Sequence, residues 1–153
     1  MPSKSPIPPL GAHLGYWLRF VSNHVSYAFA RKLAGKDVTP AEWVVLHALY
    51  GERTVAPSRL ADRLGLTRGA ISKLADRLIH KKLISRVDDT KDLRAHTLAL
   101  TPAGTALVPM LAALADENDA EFFGGLSARE RAALERALKC LVARNGLKSI
   151  PMT

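Results

Sequence analysis

Residues 57–82 read PSRLADRLGLTRGAISKLADRLIHKK, and this stretch decides the fold. Apolar residues recur at helical spacing between Pro57, which suits the first position of a helix, and Gly65, which suits a left-handed helix end. Thr67 can cap a second helix, whose apolar residues again follow a helical period. Because only about two residues separate the two helices, they must cross at a steep angle. The stretch therefore predicts a helix-turn-helix.

The second of these helices has an apolar face and a polar face. Its apolar positions are Ile71, Leu74, Ala75 and Leu78. On the outward side we predict the DNA-binding residues Thr67, Arg68, Gly69, Ser72, Lys73 and Arg77. The small residues let the helix N-terminus approach a groove closely, while Arg68 and Lys73 can donate hydrogen bonds to guanine. On an isolated helix such a face is more often a solvated surface, so the prediction depends on the tight turn before it.

A charged β-hairpin is predicted directly after the helix-turn-helix. Residues 83–87 and 96–100 read as strands, and a charged tip joins them. We predict DNA contacts from Lys91 and Arg94 at this tip, since an arginine in a narrow minor groove adds affinity and reads groove shape. Asp92 lies two residues before Arg94 and is expected to orient its guanidinium group.

The N-terminal part is predicted to be a tail followed by two helices. Residues 1–9 hold four of the nine prolines, so they should form a flexible, extended tail. A long helix follows and is closed by Gly35. The motif Thr39-Pro40-Ala41-Glu42 is a capping box for a second helix that stops near Gly51, and residues 54–56 could form a small edge strand.

The C-terminal part is predicted to be two further helices. Thr101 caps the first, which ends at Gly124-Gly125, and Ser127 opens the second with a capping box. The predicted fold class is therefore mainly α with a small β-hairpin (α+β), in a single domain over residues 1–153. Within it, a winged helix-turn-helix DNA-binding lobe occupies residues 39–101.

Positive charge is concentrated in the middle of the chain. The sequence has 22 Lys and Arg against 14 Asp and Glu, a net charge of +8, and residues 52–100 hold 11 basic and 6 acidic side chains. Residues 101–153 hold six of each sign. A basic middle third favours one surface that binds a polyanion, either nucleic acid or a membrane surface.

Several classes of protein are disfavoured. The five histidines lack a metal-binding spacing, and no P-loop, nucleophile elbow or paired-carboxylate arrangement occurs. We therefore predict no metal, no cofactor and no enzymatic activity. No apolar run approaches the roughly 18 residues that span a bilayer, and no secretion signal is recognisable, so the expected location is the cytoplasm without a membrane partner. The single cysteine, Cys140, is expected to be a buried, inert thiol rather than a redox sensor.

Two groups of aromatic and histidine side chains could line a ligand pocket. They lie at helical spacing on the first and second helices: His13, Trp17, Phe20, His24, Trp43 and His47. An aromatic and polar lining suits a small aromatic ligand. Ordinary core and dimer packing is the alternative, and it is the more common use of such residues.

Residues 60–104 resemble the core of the MarR family of winged helix-turn-helix transcriptional regulators. The resemblance rests on the Gly65-Leu66-Thr67 lead into the second helix of the pair, on Leu83-Ile84-Ser85-Arg86 entering the first wing strand, on Asp92-Leu93-Arg94 at the wing tip, and on Leu100-Thr101 with Gly104 opening the next helix. The start of the second helix at Thr39 and the long outer helices resemble the family as well. Together these motifs are specific, whereas any one alone would be weak.

The resemblance implies a bacterial homodimer held by helices over residues 10–34 and 102–146. Such a dimer would bind double-stranded DNA at a pseudo-palindromic operator, and a small, aromatic ligand between the dimerisation helices and the DNA-binding lobe would relieve repression. Lys73 falls where the family often has a base-reading arginine, and Arg94 falls on the wing arginine. Lys82 departs from the glycine that many members have before the first wing strand, which bears on the helix end and on the angle of the hairpin.

The sequence leaves other functions open. A winged helix can also serve as a DNA-architectural or protein-interaction module without operator specificity. A footprint separates the two, because a regulator protects a discrete palindrome whereas an architectural protein protects DNA uniformly. An enzyme that handles a ligand on this scaffold is a third reading, but no residue obviously supplies turnover.

Overall fold

The computed structural model describes residues 6–88 and 96–148. In chain order the described elements are a short 3₁₀ helix Leu10–Ala12, then α1 Leu14–Ala34, α2 Pro40–Leu49, α3 Pro57–Leu64, α4 Arg68–His80, β1 Ile84–Asp88, β2 His96–Leu100, α5 Pro102–Phe123 and α6 Ala128–Arg144. The two strands pair antiparallel, from Ile84 opposite Leu100 to Asp88 opposite His96. The predicted fold class, helical with one small hairpin, is confirmed.

The helix-turn-helix forms as the local sequence predicts. Gly65 ends α3 in the left-handed conformation, with φ of 65°. The Thr67 hydroxyl then accepts a hydrogen bond from the backbone N–H of Ala70 at 3.0 Å and so caps α4. All four predicted apolar positions of α4 are buried. Burial of this face leaves the opposite face of α4 in solvent.

A third short segment pairs with the hairpin. The Val55 N–H donates to the Leu98 carbonyl at 2.9 Å, and the Leu98 N–H donates to the Val55 carbonyl at 2.8 Å. The sequence suggested a small edge strand over residues 54–56, and in the described residues it is reduced to this isolated bridge. Because Val55 and Leu98 are both buried, the bridge anchors the root of the hairpin in the core.

The hairpin is joined closely to α5. Thr101 donates from its backbone N–H to the Leu83 carbonyl at 3.0 Å and from its hydroxyl to the Lys82 carbonyl at 2.7 Å. A Cβ atom at Gly104 would lie 2.1 Å from the same Leu83 oxygen, which is far inside van der Waals contact. Only glycine therefore lets the first turn of α5 approach the start of β1 this closely.

A polar group fixes α1 against α5. Asn118 is buried, and its side-chain N–H donates to the Val25 carbonyl at 3.1 Å. Lys32 Nζ lies 3.0 Å from Asn118 Oδ1 and 2.6 Å from Glu121 Oε2. Since a buried amide must keep its hydrogen-bond partners, this cluster sets the position of α5 along α1.

The start of α1 differs from the sequence prediction, whereas its end at Ala34, before Gly35, agrees with it. The α-helix begins at Leu14 rather than Leu10, because the chain first makes the 3₁₀ turn, which Trp17 Nε1 closes by donating to the Gly11 carbonyl at 2.8 Å. At the other end Gly35 is right-handed, with φ of −62°. The left-handed residue is Asp37, with φ of 56°, because the chain continues for nearly another helical turn before it reverses.

The expectation of a buried Cys140 is wrong for the single chain. Cys140 is exposed, and no residue of α6 is buried. The reason is that α6 lies outside the core of its own chain, so its apolar side chains lack the cover that a core helix would have.

Lys82 adopts the left-handed conformation that glycine favours, with φ of 61°. Its N–H donates to the Ile79 carbonyl at 2.9 Å, and the next N–H, of Leu83, donates to the Leu78 carbonyl at 3.0 Å. These two bonds form the Schellman motif that normally ends a helix at glycine. The helix therefore ends at Lys82 in the same way as it would at a glycine, but the left-handed backbone costs the lysine conformational free energy.

Replacing Lys82 with glycine should raise the free energy of unfolding by about 0.5–1 kcal/mol, because glycine has no Cβ that clashes at positive φ. For a chain of this size the corresponding rise in Tm is about 1–4 °C. Lys82→Ala is the matched control, since it removes the same charge and keeps the Cβ. Equal Tm values for the two variants in a thermal melt would contradict the prediction.

Candidate nucleic-acid interface

The predicted DNA-binding residues of α4 share an exposed surface. Thr67, Arg68, Gly69, Ser72, Lys73 and Arg77 are all exposed. Within residues 6–88 and 96–148, neither Arg68 nor Lys73 takes part in a salt bridge. Their cationic groups are therefore available to an external anion or base edge.

The start of α4 is sterically open. A Cβ atom added at Gly69 would meet only the Thr67 hydroxyl oxygen, at 3.9 Å. The first turn of a helix also carries backbone N–H groups without helical partners and the positive end of the helix dipole. An open, capped N-terminus beside Arg68 suits close approach to a phosphate or a groove floor.

Arg77 differs from the other residues of this face. Its guanidinium Nη2 lies 3.5 Å from Glu42 Oε1, and its side chain is 52% exposed. Arg77 thus points along the protein surface toward α2 and has an ionic partner within its own chain. Its predicted contact with DNA stays a prediction, and the structure gives it a second role in holding α4.

A salt bridge links the first wing strand to α4. Arg86 Nη2 lies 2.6 Å from Asp76 Oδ1, and both side chains are about half exposed. Arg86 belongs to a motif on which the family resemblance rests, but no role was predicted for it from the sequence. The predicted wing residues Lys91, Asp92 and Arg94 lie outside the described residues.

Glu42, on α2, is a buried carboxylate that lies against the C-terminal end of α4. Its Oε1 accepts from the Thr39 N–H at 2.9 Å, which completes the predicted capping box, and also from Lys81 Nζ at 3.0 Å. Lys81 donates in addition to the Asp37 carbonyl at 2.6 Å. The other carboxylate oxygen, Oε2, is buried without a hydrogen-bond partner in the described part of the chain. We call Asp37, Thr39, Glu42, Arg77 and Lys81 the Glu42 cluster.

From the sequence only a capping role was predicted for Glu42, so its contacts with Lys81 and Arg77 were not predicted. Burial raises the pKa of the Glu42 carboxyl, but the hydrogen bonds from Thr39 and Lys81 lower it more. The net result is a pKa below the ordinary value of 4.5, so the carboxylate is ionised at neutral pH.

The predicted ligand-binding residues form two separate groups. His13 precedes α1 and is exposed, and the aromatic rings of Trp17, Phe20 and His24 stack along the exposed side of that helix, with 5.1 Å between the centroids of Phe20 and His24. Trp43 and His47 meet on α2 with centroids 5.2 Å apart.

The two residues of the second group line an open cavity. The cavity, of about 230 Å³, is lined by Trp43, Val44, His47, Ala48 and Leu64. On α1, Phe29 pairs with Trp43 at 6.4 Å between ring centroids, and the first group ends at His24, five residues earlier and about 7–8 Å along the helix. Among the described residues, no aromatic pair joins the two groups directly.

Two apolar faces remain uncovered at the ends of the chain. On α1 the exposed residues include Leu14, Trp17, Leu18, Phe20 and Val21, and on α6 they include Leu134, Leu138, Leu141 and Val142. Isolated exposed apolar residues are ordinary, but contiguous apolar faces on two helices are typical of an association surface.

The described residues form neither a metal-binding group nor a membrane-spanning helix. No three His, Cys, Asp or Glu side chains among them are grouped so that they could hold a metal ion. None of the described helices is both long enough and apolar enough to cross a membrane.

A family model described as MarR family matches residues 36–95. The chain is 33% identical to MdtR, an HTH-type transcriptional repressor of Bacillus subtilis (strain 168), over 118 residues. The match covers 77% of this chain and 66% of MdtR, so the chain spans just under two thirds of the length of this relative.

Similar solved structures include one with DNA and one studied for ligand control. A MarR variant from E. coli complexed with operator DNA is 27% identical, with a TM-score of 0.75, and the match covers 84% of this chain and 93% of that one. Bordetella bronchiseptica BpsR, whose DNA binding is regulated by 6-hydroxynicotinic acid, is 25% identical, with a TM-score of 0.75. That match covers 89% of this chain and 97% of BpsR.

The Glu42 cluster should make the stability of the protein depend on pH. Because the folded pKa of Glu42 is lowered, its contribution is present above the unfolded value and is lost as the pH falls through the folded value. Glu42→Gln should lower the free energy of unfolding by about 1–3 kcal/mol at neutral pH, since two cations lose a charged partner. This deficit should shrink as the pH falls below the ordinary value of 4.5 and through the lowered folded pKa, where the wild-type carboxyl protonates. Thermal melts across this range measure it, and a deficit that is constant with pH would contradict the assignment.

Proposed function

Because this chain belongs to the MarR family, we propose that it is a sequence-specific DNA-binding transcription regulator, acting as a homodimer in the bacterial cytoplasm and without enzymatic activity. The observation that carries the proposal is the exposed first half of α4, where Arg68 and Lys73 have no salt-bridge partner among the described residues. This face follows a tight, capped turn, in a fold that a relative uses to bind operator DNA.

The residues of α4 have distinct proposed roles. Thr67, Gly69 and Ser72 would let the helix approach the floor of the major groove, while Arg68 and Lys73 would donate to base edges or phosphates. Arg77 would contact the DNA backbone from the far end of the helix. At the wing, Lys91 and Arg94 are proposed to reach the flanking minor groove with Asp92 orienting Arg94, and these three lie outside the described residues.

We propose that the uncovered faces of α1 and α6 hold the homodimer. Their apolar side chains are exposed in the single chain, and a two-fold partner would present the same faces in return. The recognition helices of such a dimer would enter successive major grooves, so the operator would be a pseudo-palindrome with half-site centres about 10 base pairs apart.

Leu138→Glu in α6 should convert the dimer to monomers and weaken operator binding at least tenfold, because a charge would be buried in an apolar interface. Sedimentation at micromolar concentration measures the association state. Tyr50→Glu, which adds the same charge at an exposed position at the end of α2, should leave the dimer intact. A monomeric wild type would contradict the dimer.

We further propose that the protein is a repressor and that a small aromatic acid relieves its DNA binding. MdtR supports the first part, and BpsR with 6-hydroxynicotinic acid supports the second. Of the six candidate residues, Trp43 and His47 border a cavity and are the favoured contacts, while His13, Trp17, Phe20 and His24 would take part only if a second chain completes a pocket. Titration with aromatic acids tests the proposal: the acid should release bound operator from the wild type but not from His47→Ala. If no aromatic acid released the operator from the wild type, the proposed ligand control would be contradicted.

Lys73→Ala should weaken binding to the operator by about 1–3 kcal/mol while changing binding to random duplex much less, because a lost base contact affects only the specific complex. Fluorescence anisotropy with both duplexes at one salt concentration measures the difference. Lys139→Ala on α6 is the matched control for net charge, since Lys139 lies on the exposed C-terminal helix and pairs with Glu135. Equal losses on both duplexes would make Lys73 a phosphate contact.

Footprinting of genomic fragments tests the function as a whole. Discrete protection of a palindrome upstream of a gene is the expected result. Uniform protection without a preferred site would contradict the proposal and favour a DNA-architectural protein.

A further inference from the structure

The Glu42 cluster joins two segments that are distant in the sequence, residues 37–42 and residues 77–81. Through Thr39 the carboxylate fixes the start of α2, and through Lys81 and Arg77 it holds the C-terminal end of α4. Lys81 also donates to the Asp37 carbonyl, in the turn that follows α1. The buried carboxylate therefore joins α2 to the end of α4, and Lys81 extends the connection to the turn after α1, the helix proposed to hold the dimer.

A gain in the free energy of unfolding does not by itself account for the Glu42 cluster. The Glu42 side chain is fully buried, and its Oε2 has no hydrogen-bond partner among the described residues, so part of its desolvation cost is not offset. An apolar side chain packed at the same place would often stabilise a protein as well or better. What a buried, directional charge adds is a defined geometry, because its cations must lie within hydrogen-bond distance of one oxygen atom.

The other contacts of α4 define its position less sharply than the Glu42 cluster does. Its apolar face packs on the core through side chains such as Leu74 and Leu78, and apolar packing resists a small sliding movement less than a short ionic contact does. The Arg86–Asp76 salt bridge connects α4 only to the wing, and both of its side chains are about half exposed. Exposed ion pairs of this kind contribute little to the free energy of unfolding.

We propose that Glu42 is a positioning residue for DNA recognition, which fixes the C-terminal end of α4 on α2 and, through Lys81, against the turn after α1, and so sets the separation of the two recognition helices in the dimer. This inference rests on the proposed function. A fixed separation makes the protein selective for one spacing of the operator half-sites, since a shift of one base pair moves a half-site by about 3.4 Å and rotates it around the duplex.

The first test uses two substitutions that break the cluster from opposite sides. Glu42→Gln keeps the size of the side chain and an oxygen that can cap α2, but removes the negative charge. Lys81→Met keeps the capping box and removes the positive charge. The two variants change the electrostatic attraction to DNA in opposite directions, so a shared effect on spacing must come from geometry.

Binding is measured on duplexes whose half-site centres are 9, 10 or 11 base pairs apart, at a temperature where every variant is folded. The wild type should favour one spacing about tenfold or more. Both variants should lose most of that preference, and the double variant should lose no more than either single one. Glu130→Gln is the control, because Glu130 caps α6 with the same hydrogen bonds, at 3.0 and 3.1 Å, but is exposed.

A second readout needs no DNA. A nitroxide label at Ser72→Cys on α4, in a Cys140→Ser background, reports the distance between the two recognition helices of the dimer. The distribution should be narrow in the wild type and in Glu130→Gln, and broader or shifted in Glu42→Gln and Lys81→Met.

The outcomes separate the inference from the proposed function. Lower Tm values with an unchanged spacing preference and unchanged label distances would overturn the inference and leave Glu42 a purely structural residue. A wild type without any preferred operator or spacing would overturn the proposed function and the recognition role together. Should Glu42→Gln fail to fold, Lys81→Met decides, because its capping box is intact.

Discussion

The carbonyl oxygen of Leu83 is approached from two sides, and the DNA-binding lobe depends on this point. The Thr101 N–H binds it, and the bare Cα of Gly104 passes so close that no Cβ would fit. The same short segment ends α4 through the hydrogen bond from Leu83 to Leu78. The end of α4, the start of the hairpin and the first turn of α5 are thus fixed together, and a larger residue at Gly104 would displace all three.

The cations of this lobe divide into two sets by their partners. Arg77, Lys81 and Arg86 each face a carboxylate of their own chain and serve to hold α4 and the wing in place. Arg68 and Lys73 have no such partner in the described part of the chain and lie near the open helix start. Net charge alone does not reveal this division, because it depends on which carboxylates the fold brings near each cation.

Sequence reasoning succeeded where the cause of a structure is local. The cap at Thr67, the left-handed Gly65 and the capping box at Ser127 each depend on atoms within a few residues, and all three occur as predicted. The full role of Glu42 could not be predicted, since its cation Lys81 is 39 residues away in the chain. The exposure of Cys140 was predicted wrongly because an apolar helix pattern does not say whether its cover comes from the same chain.

The uncovered faces of α1 and α6 have a consequence for the thermodynamics of folding. When association covers apolar surface that the folded monomer leaves in water, the free energy of that association becomes part of the stability of the native state. Stability then follows mass action, so the melting temperature rises with the concentration of chains and the copy number in a cell helps determine how much native protein exists. As such a dimer dissociates on dilution, each chain would lose the part of its stability that association supplies, whereas a protein whose association covers no apolar surface would keep its stability.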